Sequence, residues 1–290
     1  MIIDSHCHMH DPALPDALDT LRVAQSLDVW GIIAVGCDAE SNERNLALAA
    51  AAPKAVWACF GFHPDHDLDD AALERVEQQL AQHHARVVGL GEVGLPWYSL
   101  EGKADAAERS ARGRARLERL LALAARYDLA VSLHAPHATA LDAFESLERH
   151  HIERAVFHWH KAPPEVTRRI VDAGYFVSVT PEVVYRERDR ALVEQVALES
   201  LLVESDAPWK YGGEFAGVQS GPWLAARAAE EVAKIKREPI DEVMFRLSTN
   251  ACRLFHLAWT CAPSATGSRC PTASSRSCCT YPTAARAFRA

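Results

Sequence analysis

The residues of this chain best suited to chemistry are imidazoles and carboxylates that follow short apolar runs. At the start, Ile2-Ile3-Asp4-Ser5-His6-Cys7-His8 carries two histidines separated by one residue. A β-strand turns alternate side chains to the same side, so His6 and His8 would project together into one small volume. Neutral imidazole is a ligand for Zn²⁺ and other transition metals, and a catalytic centre needs further N or O donors and an open position for water. Candidates follow other apolar runs: Glu92 in Gly91-Glu92-Val93-Gly94, His134 after Val131-Ser132-Leu133, His158 after Val156-Phe157, and Asp206 after Leu201-Leu202-Val203. Each alone has an ordinary reading, a polar residue at a strand end or an aspartate that starts a turn before Ala207-Pro208. Together they make a donor set suited to a metal centre, with two ions fitting better than one.

Such groups serve one site only if the fold brings them to a common edge. Short β-rich runs alternate with longer stretches whose apolar residues recur at three and four, as Leu117, Leu120, Leu121 and Ala124 do. The pattern predicts eight strands, at residues 2–6, 31–36, 56–61, 87–92, 130–134, 154–158, 175–180 and 201–206. Helices are expected at 14–27, 42–51, 70–83, 108–127, 138–150, 164–173 and 189–199, with two more at 223–236 and 240–255 separated by Pro239. Eight strand–helix repeats favour a closed (β/α)8 barrel of the TIM type, with an open doubly wound sheet as the alternative. Catalytic groups in such a barrel come from the C-terminal ends of the strands, where His6, His8, Glu92, His134, His158 and Asp206 fall. His160 shares a strand face with His158 and competes for its place, whereas His10 is expected beyond the first strand.

With 290 residues, 49% of them hydrophobic, the chain can bury a substantial core. A formal net charge of -8 excludes a global attraction to nucleic acid or to an anionic membrane, so a polyanionic substrate would need a local positive site. The basic run Arg109, Arg112, Arg114, Arg116 and Arg119 covers more than one side of its helix and reads as outer surface. No apolar run approaches a membrane span and no leader-like segment opens the chain, so a soluble cytoplasmic protein is the simplest expectation. Cys7, Cys37, Cys59 and Cys252 stand singly in apolar settings and read as reduced, buried thiols. Cys261, Cys270, Cys278 and Cys279 crowd the tail without the paired spacing of a zinc site. From 258 to 290 the composition turns to Ser, Thr, Pro, Arg and Cys, so the readable domain is 1–257 and the tail is expected to be disordered. No heptad or interface strip points to a protein partner.

Taken in order, these pieces resemble the TatD family of metal-dependent deoxyribonucleases within the amidohydrolase superfamily. The resemblance is carried by Asp4-Ser5-His6-Cys7-His8, by Gly61-Phe62-His63-Pro64 and by Gly89-Leu90-Gly91-Glu92-Val93-Gly94-Leu95. It continues through Val131-Ser132-Leu133-His134, Val156-Phe157-His158-Trp159 and Glu204-Ser205-Asp206-Ala207-Pro208 to Asn250 and Arg253-Leu254-Phe255, covering residues 1 to about 256. It implies two divalent ions, Zn, Mn or Mg, with Glu92 bridging both, His6, His8 and Asp206 holding one, and His134 and His158 the other. It further implies hydrolysis of DNA phosphodiester bonds, with Asp206 as general base and His63 as a donor to the substrate phosphate.

The substrate-facing loops depart from the family pattern. Gly94-Leu95-Pro96-Trp97-Tyr98 stands where Gly-Leu-Asp-Tyr is common, Pro136 where an Arg commonly follows the strand-five His, and Gln219-Ser220-Gly221-Pro222 where Arg-Asn-Glu-Pro is found. An Arg fork is the favoured partner of a phosphate, so the substrate is less determined than the metal chemistry. Lys161 and Lys210 follow two of the ligand strands and would restore positive charge, while Trp97 and Tyr98 offer faces on which a base of single-stranded DNA would stack. Two other readings stand beside the nuclease: metal-dependent hydrolysis of a small-molecule amide, ester or lactone, and a non-catalytic binding protein.

Overall fold

The computed structural model describes residues 1–258, so the expectation of a disordered tail, and the four cysteines in it, lie outside the described residues save for Ala258. Eight parallel strands follow one another in chain order: β1 (Ile2–Cys7), β2 (Val29–Val35), β3 (Val56–Phe60), β4 (Gly89–Gly94), β5 (Ala130–His134), β6 (Ala155–Phe157), β7 (Phe176–Val179) and β8 (Leu201–Val203). Helices lie between them: α1 (Ala17–Ser26), α2 (Ala39–Ala51), α3 (Asp70–His83), α4 (Ala106–Tyr127), α5 (Thr139–Arg149), α6 (Pro164–Asp172) and α7 (Glu187–Gln195), with α8 (Leu224–Lys236) and α9 (Ile240–Phe255) after β8. This is the (β/α)8 barrel, not the open sheet. The apolar periodicity locates α3, α9 and β5 to the residue, and the other predicted elements within a few residues.

Strand alternation divides the core into two layers. Ile2, Ile32, Val56, Leu90, Val131 and Leu133 meet the helices, in one cluster with Leu73, Leu117 and Leu121. Ile3, Ile33, Cys59, Ala130, Val156, Phe176 and Leu202 form the inner cluster, closed at one end by Ala251, Leu254 and Phe255 of α9. That end is therefore a plug of packed side chains, and the opposite end, where the strands stop, is left for chemistry. Asp16, Asp38 and Asp69 accept backbone N–H bonds at the first turns of α1, α2 and α3 and so fix where these helices begin.

The first and last strands meet through a polar seam. Ser5 Oγ donates to Val203 O at 2.9 Å, and Asp4, fully buried, accepts from Ser205 N at 3.0 Å and Ser205 Oγ at 2.6 Å. Beyond them Asp206 N donates to His6 O at 3.0 Å, and His8 N to Ala207 O at 2.9 Å. The segment expected to continue as strand to residue 206 thus leaves the ladder at Val203 and joins β1 through these bonds.

On the other side, bare backbone brings β2, β3 and β4 together. Glu92 N donates to Gly36 O at 2.9 Å, and a Cβ on Gly61 would sit 1.8 Å from Gly36 O and 2.4 Å from Glu92 N. Only a residue without Cβ fits there, and the buried Asn42 amide holds it by accepting from Gly61 N at 2.8 Å and donating to Gly61 O at 3.1 Å. The basic run on α4 is outer surface, its arginines paired with carboxylates such as Asp105, Glu108, Asp142, Asp70 and Glu77. Cys7, Cys37 and Cys59 are buried thiols, and Cys252 is half-buried. No helix among the described residues is long and apolar enough to cross a membrane.

Candidate metal centre

Glu92, 1% exposed, stands at the centre of the strand-end side chains. An irregularity in the β4–β5 register between Leu90 and Val93 re-aims the strand around it. Its Oε1 meets His134 Nδ1 at 2.6 Å, His158 Nε2 at 2.8 Å and His63 Nε2 at 3.2 Å. Its Oε2 lies 3.3 Å from both His6 Nε2 and His8 Nε2. Asp206 Oδ1 closes the second group, 3.3 Å from His8 Nε2 and 3.7 Å from His6 Nε2. Asp206 holds a left-handed backbone, φ 43°, immediately after β8, a conformation that costs energy and is found at functional sites.

All six predicted metal ligands therefore converge, and His63 converges with them. Donor atoms of His6, His8 and Asp206 lie within 4.8 Å of one another, as do those of His63, Glu92 and His134, and those of His6, Glu92 and His158. His160 does not join: its Nε2 bonds Thr167 Oγ1 at 2.8 Å, packed against α6. Burial, with Arg188 adding to it, pulls its pKa down to about 3. His10 lies beyond β1, its ring 5.6 Å from that of His8.

A surrounding shell orients the imidazoles, as ligand histidines require. His6 Nδ1 lies 3.1 Å from Ser132 Oγ, His8 Nδ1 3.4 Å from Cys37 Sγ, and His158 Nδ1 3.4 Å from Glu204 Oε1. His134 Nε2 lies 3.0 Å from Asp65 Oδ2, and Asp65 also accepts from Trp97 N and Ser99 N, both at 2.9 Å. Asp65 thereby ties the loop after β4 to the β5 histidine. Asp65 goes unmarked in the sequence, where Glu204 reads only as part of the strand-eight motif and Cys37 only as a buried thiol. Glu204 is two residues before Asp206, on the strand period, which is a usable signal; Asp65, after Pro64, looks like an ordinary turn residue.

The donor set fits divalent cations. His6 Nε2 is buried and makes no hydrogen bond although it faces two carboxylates, leaving its lone pair for a ligand outside the protein. Electrostatics agree. Burial works against an imidazolium at His158, yet Glu92 and Glu204 hold it up to about 10. Burial likewise opposes charge on His134, whose pKa Asp65 and Glu92 raise. Burial pushes Glu92 up, but His63 and His158 bring it well below the carboxylate range.

A pH dependence follows. His158 binds its proton more tightly folded than unfolded, so its stabilising contribution is whole below about 6.5 and is lost as pH rises toward 10. Cation binding must displace that proton, so affinity should rise about tenfold per pH unit for each proton released. Thermal melts of metal-free and Mn²⁺-loaded protein between pH 6.5 and 9.5 should diverge, the metal-free melting temperature falling while the loaded form gains. Parallel curves would refute this account of the cluster.

Above the cluster lies a cavity of about 980 Å³. Lys210, one of the predicted substrate contacts, lines it, as does Pro136. Trp97 leans on His137 with ring centroids 5.3 Å apart, and it is the neighbouring Tyr98 that faces the cavity.

The family described as TatD related DNase matches residues 3–256. An uncharacterized metal-dependent hydrolase of Escherichia coli, YjjV, is 32% identical over 88% of this chain and 98% of its own. Its crystal structure superposes with a TM-score of 0.78 over the same shares of the two chains. An uncharacterized metal-dependent hydrolase of Haemophilus influenzae is 29% identical over 89% of this chain and all of its own. A human protein named deoxyribonuclease TATDN3 is 28% identical over 88% of this chain and 94% of its own. The barrel with its histidine–carboxylate centre thus belongs to the TatD family of metal-dependent hydrolases.

Proposed function

We propose that this protein hydrolyses DNA phosphodiester bonds with two divalent ions, acting on single-stranded ends. The observation that carries the reading is the division of Glu92: Oε1 faces His63, His134 and His158, while Oε2 faces His6 and His8. One carboxylate shared between two imidazole groups suits a bridge between two ions, with Asp206 completing the second group. Histidine-rich ligation suits Zn²⁺ or Mn²⁺, and phosphoryl chemistry Mg²⁺. When bound, such a pair activates water and stabilises charge on the phosphate oxygens. Asp206 takes the proton of the attacking water and returns it to the leaving oxygen. His63, at the cavity edge of the cluster, donates to a phosphate oxygen in this scheme, and Lys210 holds the rest of the substrate at the rim.

A substrate panel tests the reading. Single-stranded and duplex DNA, bis(4-nitrophenyl) phosphate, a 4-nitrophenyl acyl ester and a lactone would be compared with Mg²⁺, Mn²⁺ or Zn²⁺ present. Metal-dependent cleavage of single-stranded DNA is expected. Turnover confined to the ester or lactone would replace the nuclease by the small-molecule hydrolase, and no turnover with no bound metal would leave a binding protein.

A further inference from the structure

We propose that Lys161 and Arg188 form a second anion subsite, which takes the phosphate next to the scissile one and so selects a chain of nucleotides over an isolated phosphodiester. The inference rests on the phosphodiesterase reading above and deepens it. The chain carries a net charge of -8, yet Lys161, Arg186, Arg188 and Lys210 all line the one cavity above Glu92. The same lining carries Asp11, Asp65, Glu92, Glu182 and Asp206, so a polyanion site here rests on how Lys161 and Arg188 are individually held, not on the net sign of the wall.

Lys161 is held without being neutralised. Its Nζ donates to Tyr98 Oη at 3.1 Å and sits 3.7 Å over the Trp159 ring, and among the described residues no carboxylate lies within ion-pair distance of it. An ammonium placed by a phenol and an indole face keeps its charge for a ligand. Arg188 engages only Nη2, with Glu182 Oε2 at 2.8 Å and Asp189 Oδ2 at 2.7 Å, so the remaining guanidinium donors make no bond among the described residues. Glu182 also accepts from Trp159 Nε1 at 3.3 Å, which fixes the indole beneath Lys161 relative to Arg188. The two cations are linked through one carboxylate and one ring: Arg188 bonds Glu182, and Glu182 accepts from the indole on which Lys161 sits.

The subsite is connected to the centre. Tyr98 lies between, its ring 5.6 Å from Lys161 Nζ and 5.9 Å from the His134 ring. A phosphate at Glu92 and its neighbour at Lys161 thus fall on either side of one tyrosine ring along the cavity wall. Trp209, 55% exposed and edge-on to Trp159 at 5.2 Å, lines the same wall and offers a face for the intervening base.

The test uses full-length, Mn²⁺-loaded protein and steady-state kinetics on the trinucleotide d(TpTpT), the dinucleotide d(TpT) and bis(4-nitrophenyl) phosphate. The wild type should favour the trinucleotide. Lys161→Ala and Arg188→Ala should each raise its KM by about tenfold with little change in kcat and flatten its salt dependence. Their effect on the other two substrates should stay below about twofold, and Lys161→Arg should recover most of the trinucleotide KM. Equal losses on all three substrates, or no loss on the trinucleotide, would overturn the subsite. Failure of the parent reading shows separately, as a wild-type protein that cleaves none of the three, and it removes the subsite as well.

Discussion

Glu92→Gln should lower hydrolysis by about a thousandfold or more and leave the purified protein nearly free of divalent metal. The change is isosteric, so the barrel should keep its circular dichroism spectrum. What it removes is the charge at the point where five imidazoles meet: both carboxylate oxygens are engaged, Oε1 by His63, His134 and His158, and Oε2 by His6 and His8. An amide cannot bridge two cations, and its NH₂ would face imidazole N–H groups that need an acceptor. The variant should also show a weaker pH dependence in the metal-free protein, because Glu92 is the first of the two carboxylates holding the His158 imidazolium against burial and Glu204 remains. Elemental analysis beside an activity assay reads both effects, and a Glu92→Gln variant that kept its metal and its rate would end the bridging assignment.

Asp206→Asn separates proton transfer from ligation. Its kcat should fall by about 10² to 10⁴ while much of the bound metal stays, because His6, His8 and Glu92 remain as donors. The expectation depends on how Asp206 is held: its N donates to His6 O at 3.0 Å and its O accepts from Trp209 N at 2.9 Å, so asparagine inherits the same position. If metal and activity disappear together, Asp206 is a ligand above all, and the proton must leave by another group. A variant as fast as the wild type would remove Asp206 from the reaction.

The candidate ligand groups are legible in the sequence because each follows an apolar run, and the barrel turns order along the chain into one ring of strand ends. His6, Glu92 and His134 lie within strands, and His158 directly after β6, so the period-two reading places them well. His63 reads from sequence as a phosphate donor, but its 3.2 Å approach to Glu92 Oε1 also puts it within a ligand group. What stays hidden comes from loops and helix starts. Asp65 reaches His134 across 69 residues, and Arg188 enters the cavity from the first turn of α7, at positions no strand period marks. Trp97 and Tyr98 are indistinguishable in sequence; Asp65, by accepting from the backbone N–H groups of 97 and 99, fixes which of the two rings faces inward.

The seam between β1 and β8 has a consequence for how the protein is made. His6 and His8 leave the ribosome first among the candidate ligands and Asp206 last, and Asp4 and Ser205 span 201 residues to join the strands that carry them. Until synthesis has passed β8, the early histidines have no Asp206 beside them and the barrel is an unclosed sheet with an unpaired β1 edge. Closing so distant a contact is slow relative to local helix formation. In the proposed site, a cation held by residues of both strands would act as a clasp on that closure, stabilising only chains whose first and last strands have already met. Nascent chains cut before residue 206 should hold little metal, which makes loading of the centre a molecular check that the barrel has been completed.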